Sequence, residues 1–270
     1  MESVGKIGFI GGGNMAEAFI KGVIKAGLPI SEIHVSEPNE QRRDHVVEAY
    51  GVRAEEDNAS LVKACDTIFL AVKPQIAEEV LGEISGAFTK DKILISIAAG
   101  VSTASLEKFL NDSPRVVRAM PNTPALVGMG ATALCRGRFA TKDDLQVARK
   151  LFESVGIVQV VEESQMDAVT GLSGSGPGYV FTVIEALADG GVQEGLRKDV
   201  ALALAVQTVL GSALLAKETR EHPALLRDQV CSPGGTTIAA VRVLEERGLR
   251  ATLMEAVSAA SRRSRELGQK

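Results

Sequence analysis

Short apolar runs and longer amphipathic segments alternate along the first part of this chain. The runs Lys6–Ile10, Ile33–Ser36, Thr67–Val72, Ile93–Ile97 and Arg115–Ala119 have strand length. Segments with apolar residues at helical spacing separate them, near Met15–Ala26, Gln41–Tyr50, Ile76–Phe88 and Thr103–Leu110. Two further strands are expected at Ala131–Cys135 and Val158–Val161, with a helix over Lys142–Ser154 between them. This alternation predicts an α/β, Rossmann-like domain, a parallel sheet with helices on both faces. Phe69-Leu70-Ala71-Val72 is apolar throughout, as a strand covered on both faces should be.

From about Gln165 the strand pattern stops. Pro177 suits the first position of a long helix, which Gly190-Gly191 is expected to weaken or kink. Further helices are expected over Lys198–Lys217, Ala224–Val230, Thr237–Arg247 and Ala251–Leu267. The last carries Leu253, Ala256, Val257 and Ala260 on one stripe, and Arg262, Arg263 and Arg265 on a side read as solvated. The division is expected near Glu162, with residues 1–162 forming the α/β domain and residues 163–270 an all-α domain. Ala201–Ala216 contains no charge, yet it is shorter than the ~20 apolar residues that span a bilayer, and Gln207, Thr208, Gly211 and Ser212 interrupt it. A helix apolar on nearly every side is buried on every side, here against another subunit rather than lipid.

The first strand ends in Gly11-Gly12-Gly13-Asn14-Met15-Ala16. Gly11, Gly13 and Ala16 match the G-x-G-x-x-G/A spacing between a strand and a helix. Gly11 allows a sharp turn, Gly13 lets the backbone approach a pyrophosphate, and Ala16 lets the helix lie close to the sheet. The N–H groups of Asn14 and Met15 begin that helix and point at the anion.

Composition narrows the partners. The chain has 270 residues and a net charge of −4, with no basic run of the kind that grips nucleic acid or an anionic membrane. Aromatics are few and tryptophan is absent, which argues against base-stacking platforms. Cys65, Cys135 and Cys231 are scattered and odd in number, as reduced thiols of a cytoplasmic protein are. His34, His45 and His222 lie far apart, so no metal site is expected. No secretory leader is visible.

The residue that distinguishes coenzymes is expected at the end of the second strand, which reads Ser36-Glu37-Pro38-Asn39. Glu37 can accept from a ribose hydroxyl, favouring NAD. Ser36 and Asn39 can donate to a 2′-phosphate, with Arg42 or Arg43 supplying charge or merely lying on the helix surface. The neutral serine at the tip tilts the choice to NADPH, with NADH as a weaker substitute. Val72-Lys73-Pro74 follows the next strand, where the loop should pass the cofactor; Lys73 faces either phosphate or solvent.

Two segments of the second half look unlike scaffold: Asp167 through Pro177, which includes Ser175, and Ser232-Pro233-Gly234-Gly235-Thr236-Thr237. Both are expected as glycine- and hydroxyl-rich loops before helices, either capping them or holding a carboxylate on backbone N–H groups. Neither contains His or Lys, the usual donors for reducing a ketone. A protonated cyclic imine needs no such donor, only positioning and a grip on its carboxylate. Thr237 Oγ can hydrogen-bond the imine nitrogen.

These segments, with Ala71-Val72-Lys73-Pro74 and Met120-Pro121-Asn122-Thr123-Pro124, make the chain resemble the pyrroline-5-carboxylate reductases over essentially its full length. The resemblance implies a Rossmann domain followed by a helical dimerisation domain, a homodimer or ring of dimers, and NADPH-dependent reduction of 1-pyrroline-5-carboxylate to L-proline. It implies a substrate site between the glycine loop's domain and a neighbouring subunit's helices. It also implies that Asn58 touches the adenosine ribose, Ala98 lines the nicotinamide side, and Asn122 sits near the reacting ring. Gly235, Thr236 and Thr237 would bind the substrate carboxylate and imine nitrogen. Cys231 stands where some members have serine, and the neighbouring Ser232 is kept. A 3-hydroxyacid dehydrogenase of similar build would need a lysine near the start of the long helix, and residues 165–196 contain none. A coenzyme sensor without turnover would need no second pocket.

Overall fold

The computed structural model describes residues 4–268. It divides into two compact units, Met1–Ser175 with Ser258–Lys270, and Gly176–Val257.

The first unit is built on an eight-stranded sheet of order β3-β2-β1-β4-β5-β6-β7-β8. The strands are β1 (Ile7–Ile10), β2 (Ile33–Ser36), β3 (Arg53–Ala54), β4 (Thr67–Leu70), β5 (Ile93–Ser96), β6 (Arg115–Met120), β7 (Gly130–Arg136) and β8 (Gly156–Val160). Every residue of β1, β2, β4 and β5 is buried, which is why these strands are continuous apolar runs. Side chains alternate between the faces. Phe9, Phe69, Ile95 and Val117 enter one core, under α1 (Asn14–Lys25) and α6 (Lys142–Glu153). Ile68, Leu70, Leu94 and Val116 enter another, under α3 (Asn58–Ala64), α4 (Ala77–Ile84) and α5 (Thr103–Lys108). In the first core Phe9 stacks on Phe69 at 4.7 Å, and Phe19 meets Phe152 edge-on at 4.6 Å.

The expected strands and helices are present, with three departures. The sheet is not wholly parallel, because β7 runs antiparallel to β6. Residues 121–129 are too few for a crossover, which takes a dozen or more. Two elements are additional to the expected set, β3 and α3, both too short to show a period; Asp57 caps α3 by accepting from Ser60 N–H at 2.7 Å. Between β2 and β3, α2 (Glu40–Tyr50) begins on an Asn39 cap and stops at Gly51 in the left-handed region.

The third departure concerns Asp167–Pro177, which is helical rather than a loop. α7 (Met166–Val169) runs into a π-helical turn over Thr170–Gly174, with Ser175 N–H donating to Thr170 C=O at 2.8 Å. The hydroxyls of Thr170 and Ser173 donate back to Met166 C=O and Val169 C=O. Such back-bonding makes these residues part of a helix rather than of a cap.

The second unit contains α8 (Gly176–Gln193), α9 (Lys198–Thr219), α10 (Pro223–Val230), α11 (Thr236–Glu246) and the start of α12 (Leu249–Gly268). α8 continues through Gly190-Gly191 without a break. A Cβ at Gly191 would lie 3.2 Å from Ala201 Cβ, so the glycine serves close packing against α9; Ala188 of α8 and Ala201 and Ala205 of α9 are buried at that contact. Arg262, Arg263 and Arg265 on α12 are exposed. Phe152 is fully buried among aromatic rings. Phe152→Ala is expected to lower the urea unfolding free energy by about 3–5 kcal/mol; a loss below about 1 kcal/mol would show that the ring cluster is not what holds α6 to the sheet.

Candidate active site

The carboxyl ends of β2, β1, β4 and β5 are flush: Ile10 pairs with Ser36 and with Leu70, and Leu70 with Ser96. Strand order runs outward in both directions from β1 and β4, so the loops that follow these strands flank a crevice at the switch point. Gly11 turns there with φ +94°, and a Cβ on it would stand 2.6 Å from Ala71 C=O. Only glycine satisfies both conditions. Gly13 is exposed, and a Cβ on it would point into open space. No side chain caps α1 among the described residues, so its first N–H groups, at Asn14 and Met15, lack an intrahelical partner. This is a cradle that fits a dinucleotide pyrophosphate.

The charged residues nearby serve the loop itself. Glu37 Oε2 accepts from Gly12 N–H at 2.7 Å, and its Oε1 from Asn39 N–H at 2.9 Å. Each oxygen therefore accepts one main-chain N–H, which anchors the carboxylate to the loop. The Arg42 guanidinium donates to Gly12 C=O and pairs with Glu17. Arg43 faces Glu40 at 4.0 Å and Asp44 at 3.6 Å. At the end of β2 two neutral side chains meet: Ser36, buried, donates to Asn58 Oδ1 at 2.8 Å, and Asn58 Nδ2 in turn donates to Glu83 Oε2 at 2.7 Å.

Beyond β4, Val72 is half-buried, Lys73 is exposed, and Pro74 opens a 3-10 turn, Pro74–Ile76. Ala98 is buried just past β5, its N–H donating to Ser96 Oγ at 3.3 Å. Asn122, past β6, is nearly buried; its Nδ2 donates to Ser173 C=O at 3.1 Å and its Oδ1 accepts from Ala131 N–H at 2.9 Å. It thereby ties the post-β6 loop to β7 and to the π turn that leads into Ser175. Periodicity carries no trace of the Asn122–Ser173 tie, nor of the Glu37–Gly12, Arg42–Gly12 and Glu83–Asn58 contacts, because these partners lie 25 or more residues apart.

In the second unit, Ser232–Thr237 makes a turn closed by Gly235 N–H donating to Ser232 C=O at 3.0 Å, with Gly234 at φ +65°. A Cβ at Gly235 would lie 2.2 Å from Ser232 Oγ. Gly235 is the N-cap of α11, and no side chain caps that helix among the described residues. Thr236 is exposed and Thr237 half-buried at its first turn. Burial pushes the thiols of Cys65 and Cys135 up to about 12, so both stay protonated and unreactive at neutral pH. Among the described residues no three His, Cys, Asp or Glu side chains cluster as metal ligands would.

A doubly wound sheet with this glycine-loop cradle, followed by helices, defines a two-part dinucleotide-binding oxidoreductase. Residues 163–267 match the family model for pyrroline-5-carboxylate reductase dimerisation, and residues 6–100 that for NADP oxidoreductase, coenzyme F420-dependent. The chain is 50% identical to the pyrroline-5-carboxylate reductase of Synechocystis over 98% of its own length and 99% of that relative's. A solved pyrroline-5-carboxylate reductase from Coxiella burnetii superposes with a TM-score of 0.94 at 40% identity, over 99% of this chain and 100% of that one. The Plasmodium falciparum enzyme, solved with NADP bound, gives 0.88 at 34% identity, over 97% and 98%. This chain belongs to the pyrroline-5-carboxylate reductase family.

Glu17 gathers Arg42, the Tyr50 hydroxyl at 2.9 Å and His45 Nε2 at 3.1 Å beneath the glycine loop. Burial pushes its carboxyl up, but the hydrogen bonds from Arg42, Tyr50 and His45 outweigh that and hold it below its ordinary 4.5. A carboxyl depressed in this way adds stability that is fully present above the unfolded value and is lost as pH falls through the folded one. Glu17→Gln is expected to flatten the loss of urea stability as the pH is lowered below about 5. An acid limb as steep as the wild type's would show that this carboxylate contributes nothing.

Proposed function

We propose that this chain reduces 1-pyrroline-5-carboxylate to L-proline with NADPH, NADH serving as a weaker substitute. One observation carries the reading: a single chain joins an uncapped glycine-loop helix to a Ser-Pro-Gly-Gly-Thr-Thr turn that offers amides and hydroxyls but no acid or base. Gly11, Gly13, Asn14 and Met15 receive the pyrophosphate, and Ser36 and Asn58 the phosphorylated ribose. Val72, Lys73 and Pro74 border the coenzyme, while Ala98 and Asn122 face the nicotinamide end. Residues 1–162 thus bind coenzyme, and residues 163–270 bind substrate and partner.

When bound, NADPH supplies the hydride. The N–H groups of Thr236 and Thr237 at the start of α11 hold the substrate carboxylate, where the helix end favours negative charge, and Gly235, whose own N–H closes the turn, leaves room for it. Thr237 Oγ accepts a hydrogen bond from the protonated ring nitrogen, and Ser175 borders the ring. Hydride adds to the imine carbon, the C=N electron pair moves to nitrogen, and the proton already there stays on the product amine. No general acid is required, since the charge that activates the carbon arrives with the substrate. Catalysis rests on placement.

α9 is long and apolar enough to cross a membrane, its most apolar window having a mean hydropathy of 1.8. It sits in the region matched to the family's dimerisation model, and a second copy of the chain is the proposed cover, in a homodimer or ring of dimers in the cytoplasm.

Purified protein is expected to oxidise NADPH only when pyrroline-5-carboxylate is added, read as loss of absorbance; tight NADPH binding without turnover would point to a sensor. Thr237→Ala is expected to lower kcat/KM at least about tenfold, since a bare partner costs about 1–3 kcal/mol. Near-normal activity in that variant would remove Thr237 from the mechanism. Ser36→Asp is expected to weaken NADPH binding by like-charge repulsion and to spare NADH. Equal loss with both coenzymes would displace the 2′-phosphate from Ser36.

A further inference from the structure

We propose that Glu83 on α4 sets how strongly this chain discriminates a 2′-phosphate from a 2′-hydroxyl, by fixing which way the Asn58 amide faces. The proposal rests on the placement of the adenosine ribose at Ser36 and Asn58 given above. Two hydrogen bonds carry it, through their direction. An ionised carboxylate accepts and cannot donate, so Glu83 Oε2, 2.7 Å from Asn58, must face the amide nitrogen. The amide oxygen is thereby turned to Ser36, and at 2.8 Å the serine must donate to it. A hydroxyl has one proton. With that proton on Asn58, Ser36 offers only lone pairs to anything else that approaches.

The two coenzymes differ in what they ask of such a serine. A 2′-hydroxyl can donate to Ser36 Oγ and leave the Glu83–Asn58–Ser36 chain unchanged. An ionised 2′-phosphate carries acceptors and needs a donor. To supply one, Ser36 must turn its proton away from Asn58, which leaves the amide oxygen facing lone pairs. Otherwise Asn58 must turn its amide over, which sets its oxygen against the Glu83 carboxylate. Each route gives up a hydrogen bond, and the second gives up a charge-assisted one. Ser36 is buried, so water is poorly placed to replace what is lost. Glu37 is anchored separately, on the N–H groups of Gly12 and Asn39.

Glu83 is thus a positioning residue that acts through Asn58. Replacing it with glutamine keeps the length and supplies a donor. The introduced side-chain amide can donate to Asn58 Oδ1, Asn58 Nδ2 can then donate to Ser36 Oγ, and the serine proton is released toward the phosphate.

The test measures dissociation constants for NADPH and NADH by reduced-nicotinamide fluorescence, which requires no turnover. Imine-dependent turnover is recorded in parallel. Glu83→Gln is expected to raise the NADPH preference, the ratio of the two constants, roughly fivefold or more, about the worth of one hydrogen bond. In an Asn58→Ala background the same substitution should leave the ratio within about twofold, because the relay is gone. An unchanged ratio in Glu83→Gln would overturn the proposal. So would an equal shift in the Asn58→Ala background, which would mark a long-range charge effect instead. Absence of turnover in the wild type, with the ratios behaving as expected, would overturn the proposed reaction and leave the role of Glu83 standing. Thermal melting of each variant confirms that the fold is kept, as an exposed helix position should allow.

Discussion

The parallel register of β2, β1, β4 and β5 is the constraint on which the coenzyme end depends. Because Ile10 is level with Ser36 and Leu70, and Leu70 with Ser96, the chain leaves all four strands along one line. The glycine loop, the Ser36-Glu37 corner, the Ala71–Pro74 loop and Ala98 therefore share an edge, although they are far apart in sequence. Apolar runs covered on both faces hold that register, since a shift by one residue would exchange the two cores. Gly11 then brings the loop down beside Ala71 at a distance and φ that no other residue allows.

Around that loop the charged groups neutralise one another instead of waiting for a ligand. Glu37 closes on Gly12 N–H, Arg42 on Gly12 C=O, and Glu17 gathers Arg42, Tyr50 and His45. Both flanks of the Gly12 peptide are thereby fixed before any coenzyme binds. The groups at the proposed ribose position, Ser36 and Asn58, are a hydroxyl and an amide, whose hydrogen bonds can reverse direction. A guanidinium would select phosphate outright, being only a donor. A reversible pair makes selection a matter of degree, open to adjustment by a neighbour such as Glu83.

The helical unit follows a different rule. Ala188, Gly191, Ala201 and Ala205 let α8 and α9 approach closely, and little else there is buried. Phe181, Leu204, Leu210 and Leu214 are exposed in the single chain. Apolar surface on that scale calls for a partner surface, and the match of residues 163–267 to the family's dimerisation model supplies its kind.

The order of elements, the covered strands, the glycine loop and the change to helix after residue 165 were all readable along the chain. Each depends on local spacing, which tertiary contacts here reinforced. The resemblance to the family was readable in the same way, from short runs such as Ser232–Thr237. Short or exceptional elements escaped that kind of reading. β3 and α3 hold too few residues to show a period, and the π turn at Thr170–Gly174 looks in sequence like a glycine-rich loop. Direction also escaped it: β7 turns back along β6 because its connection is too short to cross over. Above all, the partners of Glu37, Arg42, Asn58 and Asn122 were decided only by the folded structure. A charge or an amide carries no mark of which distant backbone group the register will set beside it.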